Sequence, residues 1–288
     1  MSRRLLISFI ACISGVCWAQ ADDAGIHVST SIVAGTDTVI STTGSGKATF
    51  YLVGPGVSQK RNITLGGEIR LSGRDVQNAG EFSAILCTDT CRSASFYVSA
   101  AEPVSLTFLV HPSRVPVAQG DAVSGVAFPF DQFHNLVLAP LSVNFRLMAG
   151  KAALESRDVN TRDGVAWFRA SSGKSAGALQ VIASIGDLST RRVVQQVASD
   201  PCNLRIIGQR TATGIQVQTE PVHDCSGNPV PDGTIVSFTA TDAKGKCTVD
   251  APIKQGVARA QIEATGDVLI SVASGVVMGN ELRVGARP

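Results

Sequence analysis

Residues 222–238 read VHDCSGNPVPDGTIVSF: the end of one β-strand, a turn built from Gly227, Asn228, Pro229, Pro231, Asp232 and Gly233, and a strand in which Val236 and Phe238 alternate with Ile235 and Ser237. The same pattern stands 93 positions earlier in FDQFHNLVLAPLSVNF, residues 130–145, where Asp131, Asn135, Val137, Val143 and Phe145 match Asp224, Asn228, Val230, Val236 and Phe238. Further on, GVA at 256–258 answers GVA at 164–166, so the repeated unit is a small domain rather than a hairpin.

The rest of the chain has the same grammar. GKATFYLVG (46–54), NITLGGEIRLSG (62–73), AGEFSAILC (79–87) and GALQVIASIG (177–186) are short period-two segments between glycine-rich turns, and no segment carries helical spacing over ten or more positions. In the middle of the chain Val104, Leu106, Phe108 and Val110 share one strand face, and Val126, Phe128 and Phe130 share another; the two sets are expected to meet across a core. The four-residue links at 100–103 and 198–201 each contain a proline, which favours an extended row of domains. The expected fold class is all-β, a tandem of β-sandwiches of about 90 residues each.

The N-terminus, MSRRLLISFIACISGVCWAQADD, has two arginines, an apolar run from Leu5 to Trp18 and the small-x-small triplet Ala19-Gln20-Ala21. This is the form of a secretory signal peptide over residues 1–21 with cleavage after Ala21, and the run is too short for a good membrane span. A twin-arginine signal fits less well because no cofactor site follows, and a lipoprotein signal less well because Val16 precedes Cys17. Cleavage removes two of the 25 basic residues and none of the 23 acidic ones, leaving a formally neutral chain. A neutral surface without a lysine or arginine run argues against nucleic acid as a partner. No later hydrophobic stretch exceeds a strand's length, so no transmembrane segment is expected in the mature chain.

Residues Asp224, Gly227, Asn228, Pro229, Val230, Val236, Phe238, Gly256, Val257 and Ala258 together resemble the hallmark of bacterial immunoglobulin-like domains of the invasin and intimin type: an aspartate, a Gly-Asn-Pro-Val turn, a Thr-Val-x-Phe strand and a later Gly-Val-Ala strand. The preceding copy is more diverged, with His134 in place of the glycine and Leu136 in place of the proline. The resemblance implies tandem immunoglobulin-like sandwiches, with invasin-type domains over 102–199 and 200–288 and a more generic sandwich over 22–101. It also implies an exported, non-enzymatic binding, adhesion or spacer role, periplasmic, at the cell surface or extracellular. Two other readings stand beside it: a carbohydrate- or cell-wall-binding accessory protein, and a subunit of a secreted or envelope assembly. The partner is accordingly a protein or a polysaccharide.

Five of the seven cysteines lie beyond the signal, and an exported chain is expected to pair them. If residues 204–225 fold about a turn at Thr213-Gly214, Cys202 faces Cys225, while Leu204 and Ile206 share a face with Ile215 and Val217. Cys87 and Cys91 stand across a three-residue turn and are the second expected bridge. Cys247 is left over; burial is the plain expectation, an intermolecular disulfide the alternative.

Signals for chemistry fail on inspection, so no catalytic residue, cofactor or metal is expected. TGSGKAT (43–49) has Ser41 where a phosphate loop needs its first glycine and leads into a strand. DVNTRDG (158–164) has Arg162 in a ligand slot of a calcium loop and no closing glutamate. His27, His111, His134 and His223 lie apart with no partner at metal spacing, and no serine sits in a nucleophile elbow. Two aromatics remain as contact candidates. Trp167 aligns with Arg259 and so falls on the solvent side of its strand, where it could anchor a partner or stack on a sugar unless a neighbouring domain or loop covers it. Phe133 aligns with Ser226, in a turn at the end where the chain enters its domain, and is expected to pack at the junction with the first domain.

Overall fold

The computed structural model describes residues 24–285, in two compact units that divide between Ala100 and Ala101. The expected signal peptide and its cleavage point after Ala21 lie outside the described residues. No helix among the described residues is long and apolar enough to cross a membrane.

The first unit runs β1 (Gly25–His27), β2 (Ser31–Val33), β3 (Thr38–Thr43), β4 (Lys47–Gly54), β5 (Val57–Thr64), β6 (Glu68–Leu71), β7 (Gly80–Cys87) and β8 (Cys91–Ser99), with one 3-10 turn at Gly73–Val76. Its sheets have the orders β1-β3-β6 and β2-β8-β7-β4-β5. Period-two alternation sets the layers: in β4, Ala48, Phe50 and Leu52 are buried, and in β7, Phe82, Ala84 and Leu86. Cys87 and Cys91 are directly paired at the end of the β7–β8 hairpin and joined, with Cα atoms 4.1 Å apart. At the turn, the Asp75 carboxylate accepts hydrogen bonds from Gln59, Arg61 and Ser72. Partial burial raises its pKa, but these donors outweigh that and bring it down to about 2.

The second unit holds two sandwiches with separate cores. The first of them comprises β9 (Ser105–His111), β10 (Arg114–Pro116), β11 (Val123–Phe130), β12 (Ser142–Ala149), β13 (Ala152–Asn160), β14 (Ala166–Ala170), β15 (Gly177–Ile185) and β16 (Leu188–Val197), in sheets ordered β14-β11-β9 and β10-β16-β15-β12-β13. The other comprises β17 (Pro201–Cys202), β18 (Ile206–Thr211), β19 (Gly214–Thr219), β20 (His223–Asp224), β21 (Ile235–Asp242), β22 (Gly245–Pro252), β23 (Arg259–Ile262), β24 (Val268–Ser274), β25 (Val277–Met278) and β26 (Leu282–Val284). Its main sheets run β18-β19-β23 and β22-β21-β24-β25, with β26 also on β24. The 93-residue repeat is thus a repeat of layers: Val137, Val143 and Phe145 are buried in one core as Val230, Val236 and Phe238 are in the next.

The core of the 105–197 sandwich corrects one expectation. Val126, Phe128 and Phe130 do not face the core; the buried positions of β11 are Val123, Gly125, Ala127 and Pro129. Nor do β9 and β11 meet across a core, since they are neighbours in one sheet, Val126 opposite Leu109. The reason is volume. Phe145 is stacked on Phe168 at 4.5 Å between ring centroids and lies 5.9 Å from Phe108. A Cβ on Gly125 would come within 2.3 Å of the Phe168 ring and 2.9 Å of the Phe108 ring, so β11 turns its small residues inward to admit three phenylalanines.

The register of β18 and β19 differs by two residues from the expected one. Thr211 pairs with Gly214 about the turn, and in the β17–β20 continuation Cys202 pairs with His223 rather than Cys225. A slip of two preserves strand parity, so Leu204, Ile206, Ile215 and Val217 still share the core. The bridge between Cys202 and Cys225 closes diagonally, with Cα atoms 4.9 Å apart.

Candidate functional site

The repeated Asp–Asn turn is a clamp on the incoming chain. Asp224 is only 4% exposed, and its carboxylate accepts from the main-chain N–H groups of Ser226 (2.8 Å), Asn228 (2.9 Å) and Ser199 (3.1 Å) and from the Asn228 side-chain amide (3.0 Å). Asp131, 1% exposed, does the same with Phe133, Asn135 and Ala101. Ser199 and Ala101 belong to the stretches that lead into each sandwich, so each aspartate ties its entry strand to its own turn. Burial raises both carboxyl pKa values, yet the donated hydrogen bonds prevail and hold them below the ordinary carboxylate range. Asn228 also reaches across the sandwich boundary: its Oδ1 accepts from Ala176 N–H and its Nδ2 donates to the Lys174 carbonyl, both at 2.8 Å. Phe133 sits half-buried in the Asp131 turn.

The Gly-Val-Ala signature is explained by turn geometry. Asp163 and Gly164 (φ 51° and 76°), like Gln255 and Gly256 (φ 52° and 78°), are both left-handed, and each pair is closed by reciprocal hydrogen bonds, between Arg162 and Val165 and between Lys254 and Val257. Two consecutive left-handed residues make the tight turn that feeds β14 and β23, with glycine at the second place. The DVNTRDG segment is this turn, and among the described residues no cluster of three metal-ligating side chains occurs.

Beyond that turn lies the most distinctive surface of the 105–197 sandwich. In the sheet β14-β11-β9, Trp167, Val126 and Leu109 form one cross-strand row on the outer face, and Phe128 lies in the next row opposite Thr107. Trp167 is 62% exposed and Leu109 59%, with Val126 and Phe128 half-buried between the flanking strands. The corresponding rows of β18-β19-β23 carry Gln209, Gln216 and Gln261, then Ile207, Gln218 and Arg259. In β1-β3-β6 the outer rows carry Val39 with Arg70, and His27 with Ser41 and Glu68. Among the three-stranded sheets, an aromatic-bearing apolar outer row occurs only in β14-β11-β9. Of its residues the sequence alone singles out only Trp167, because Leu109 falls between the core-face positions Phe108 and Val110, while Val126 and Phe128 read as core. Their bulk on one face of β11, against glycine and alanine on the other, is the signal that could have found them.

Cys247 also departs from expectation: it is exposed. It stands opposite Ala240 near the start of β22, an edge strand, where no further strand covers it.

No family model matches the chain, and no curated protein matches it. Among solved structures it is similar to FdeC, an Escherichia coli adhesin, with a TM-score of 0.65 at 15% identity over 93% of this chain and 98% of that one. Two others align at a TM-score of 0.49: invasin, a bacterial integrin-binding protein, at 12% identity over 92% of this chain and 60% of that one, and InvD of Yersinia pseudotuberculosis, at 9% over 92% and 97%. With the sheet orders, the repeated clamps and the FdeC superposition together, the chain has a tandem immunoglobulin-like sandwich fold.

Proposed function

We propose that this chain is an exported, non-enzymatic binding module of adhesive type, which engages a partner protein through the outer face of β14-β11-β9. The observation that carries this is the row of Trp167, Val126 and Leu109, exposed at Trp167 and Leu109 where the corresponding rows of the other two three-stranded sheets are mostly polar. A protein partner suits the apolar row, which spans three strands with Phe128 beside it, and the adjoining row of His111, Ser124 and Arg169 supplies a polar rim. Export is supported by the signal-like residues 1–21 and by two intramolecular disulfides, which persist in oxidising compartments. The role of FdeC as an adhesin agrees with the reading.

The test is capture of surface proteins by the immobilised chain, compared with Trp167→Ala combined with Leu109→Ser and with Gln216→Ala on the equivalent face of the next sandwich. Capture is expected to disappear with the first variant and persist with the second. Retention of the wild type on polysaccharide, abolished by Trp167→Ala, would favour the carbohydrate reading instead.

A further inference from the structure

β14 is an open sheet edge. Ala166–Ala170 bond to β11 on one side, and on the other side no main-chain hydrogen bond is made to any described residue. Exposed edges invite a further strand unless guarded by charge, proline or a bulge. Three other long edges carry two or more charges each; β9, the opposite edge of this sheet, is not among them. On β13, Glu155 and Arg157 are opposite the core residues Leu147 and Phe145 and form an inward-set ion pair at 2.6 Å. β22 carries Lys246, Asp250 and Pro252, and β5 carries Lys60 and Arg61. β14 has no proline and no bulge, and its one charge, Arg169, lies on the same outer face as Trp167.

We infer that β14 is a self-association edge, whose partner is β14 of a second copy of this chain in antiparallel pairing about a two-fold axis through Phe168. This deepens the proposed function, since it rests on the reading of the Trp167 face as a contact surface. The sequence Ala-Trp-Phe-Arg-Ala is complementary to its own reverse: in this register Ala166 meets Ala170 of the second copy and Trp167 meets its Arg169, twice over. Directly opposed antiparallel residues share a face, so each guanidinium lies against an indole. The small alanines leave room at both ends, and an isologous pairing of this kind closes at two copies. The two sheets become one of six strands, with both apolar rows on the same side.

Sedimentation velocity of the full chain carrying Cys247→Ser, with both disulfides intact, over about 1 to 200 µM, tests it, since an interface this small places the dissociation constant in the micromolar range or weaker. A dimer that forms with concentration is expected, and Trp167→Ala and Arg169→Glu should each raise the dissociation constant about tenfold or more. Both side chains are exposed, and unchanged melting verifies that the variants fold. The register is read in a Cys247→Ser background: Trp167→Cys and Arg169→Cys chains, oxidised separately, should stay unlinked because like positions lie beyond about 7 Å, and their mixture should cross-link. A monomer at every concentration, a dimer indifferent to both substitutions, or cross-linking in either variant alone overturns the inference. A monomer whose partner capture still depends on Trp167 overturns only the dimer. A dimer of this register whose capture ignores Trp167 overturns only the proposed function.

Discussion

Replacing Asp224 by alanine should be among the most damaging single changes in the 201–284 sandwich. Five hydrogen bonds end on its carboxylate, three of them from main-chain N–H groups and two from the Asn228 side-chain amide. A hydrogen bond to a charged group is worth about 1.5–3 kcal/mol, but the bonds are not additive and water regains some of the turn donors, so the net loss is about 2–4 kcal/mol. For a sandwich of this size that corresponds to about 8–30 °C in melting temperature by calorimetry. Asp131→Ala is a second instance with the same set of donors and should cost a similar amount. The pH dependence has a definite sign. Because the folded-state pKa is depressed, the contribution is complete above the ordinary carboxylate range and disappears as pH falls through the lowered value. Wild type should therefore lose stability in acid more steeply than Asp224→Ala, the two curves converging at low pH. A variant melting within about 1 °C of wild type at neutral pH, or parallel acid profiles, would refute the clamp.

Other substitutions test the packing and turns. Gly125→Ala should destabilise by about 1–3 kcal/mol, because its new methyl group meets two ring edges that cannot both retreat; urea unfolding measures it. His134→Gly should stabilise by about 0.5–1 kcal/mol, since His134 sits at φ 65° where the later repeat has Gly227 at φ 84°. Cys202→Ser opens the loop between residues 202 and 225 and should cost about 3 kcal/mol, read as a lower denaturation midpoint that reductant does not lower further in this sandwich. A maleimide should label the β22 peptide of the native chain at Cys247, and mass spectrometry should find no such adduct after Cys247→Ser.

Much of the architecture was legible because it is written in local chemistry. The Asp–Asn turn recurs since a buried carboxylate can satisfy a bend of main-chain donors only from that position, and the alternation around Phe145 and Phe238 follows from the two-residue period of a strand. The cysteine pair survived an error in register for the same reason, because a slip of two leaves every side chain on its original face. The binding face was less legible. In VSGVAFPF both faces of β11 are apolar, so periodicity identifies a strand without saying which side is the core.

That choice was made elsewhere in the molecule. Phe108 and Phe168 come from other strands and fill the space against Phe145, leaving room at β11 only for Gly125 and Ala127 and turning Val126 and Phe128 outward beside Trp167. Cys247 is exposed for a comparable reason: its strand is the last in its sheet, a fact of strand order that residues 245–252 do not contain. Local sequence determined the strands, the turns, the clamps and the repeat, since each depends on residues within a few positions or on parity alone. Tertiary structure decided which apolar face is buried and which edge is open, because burial is a competition for volume among strands distant in the chain.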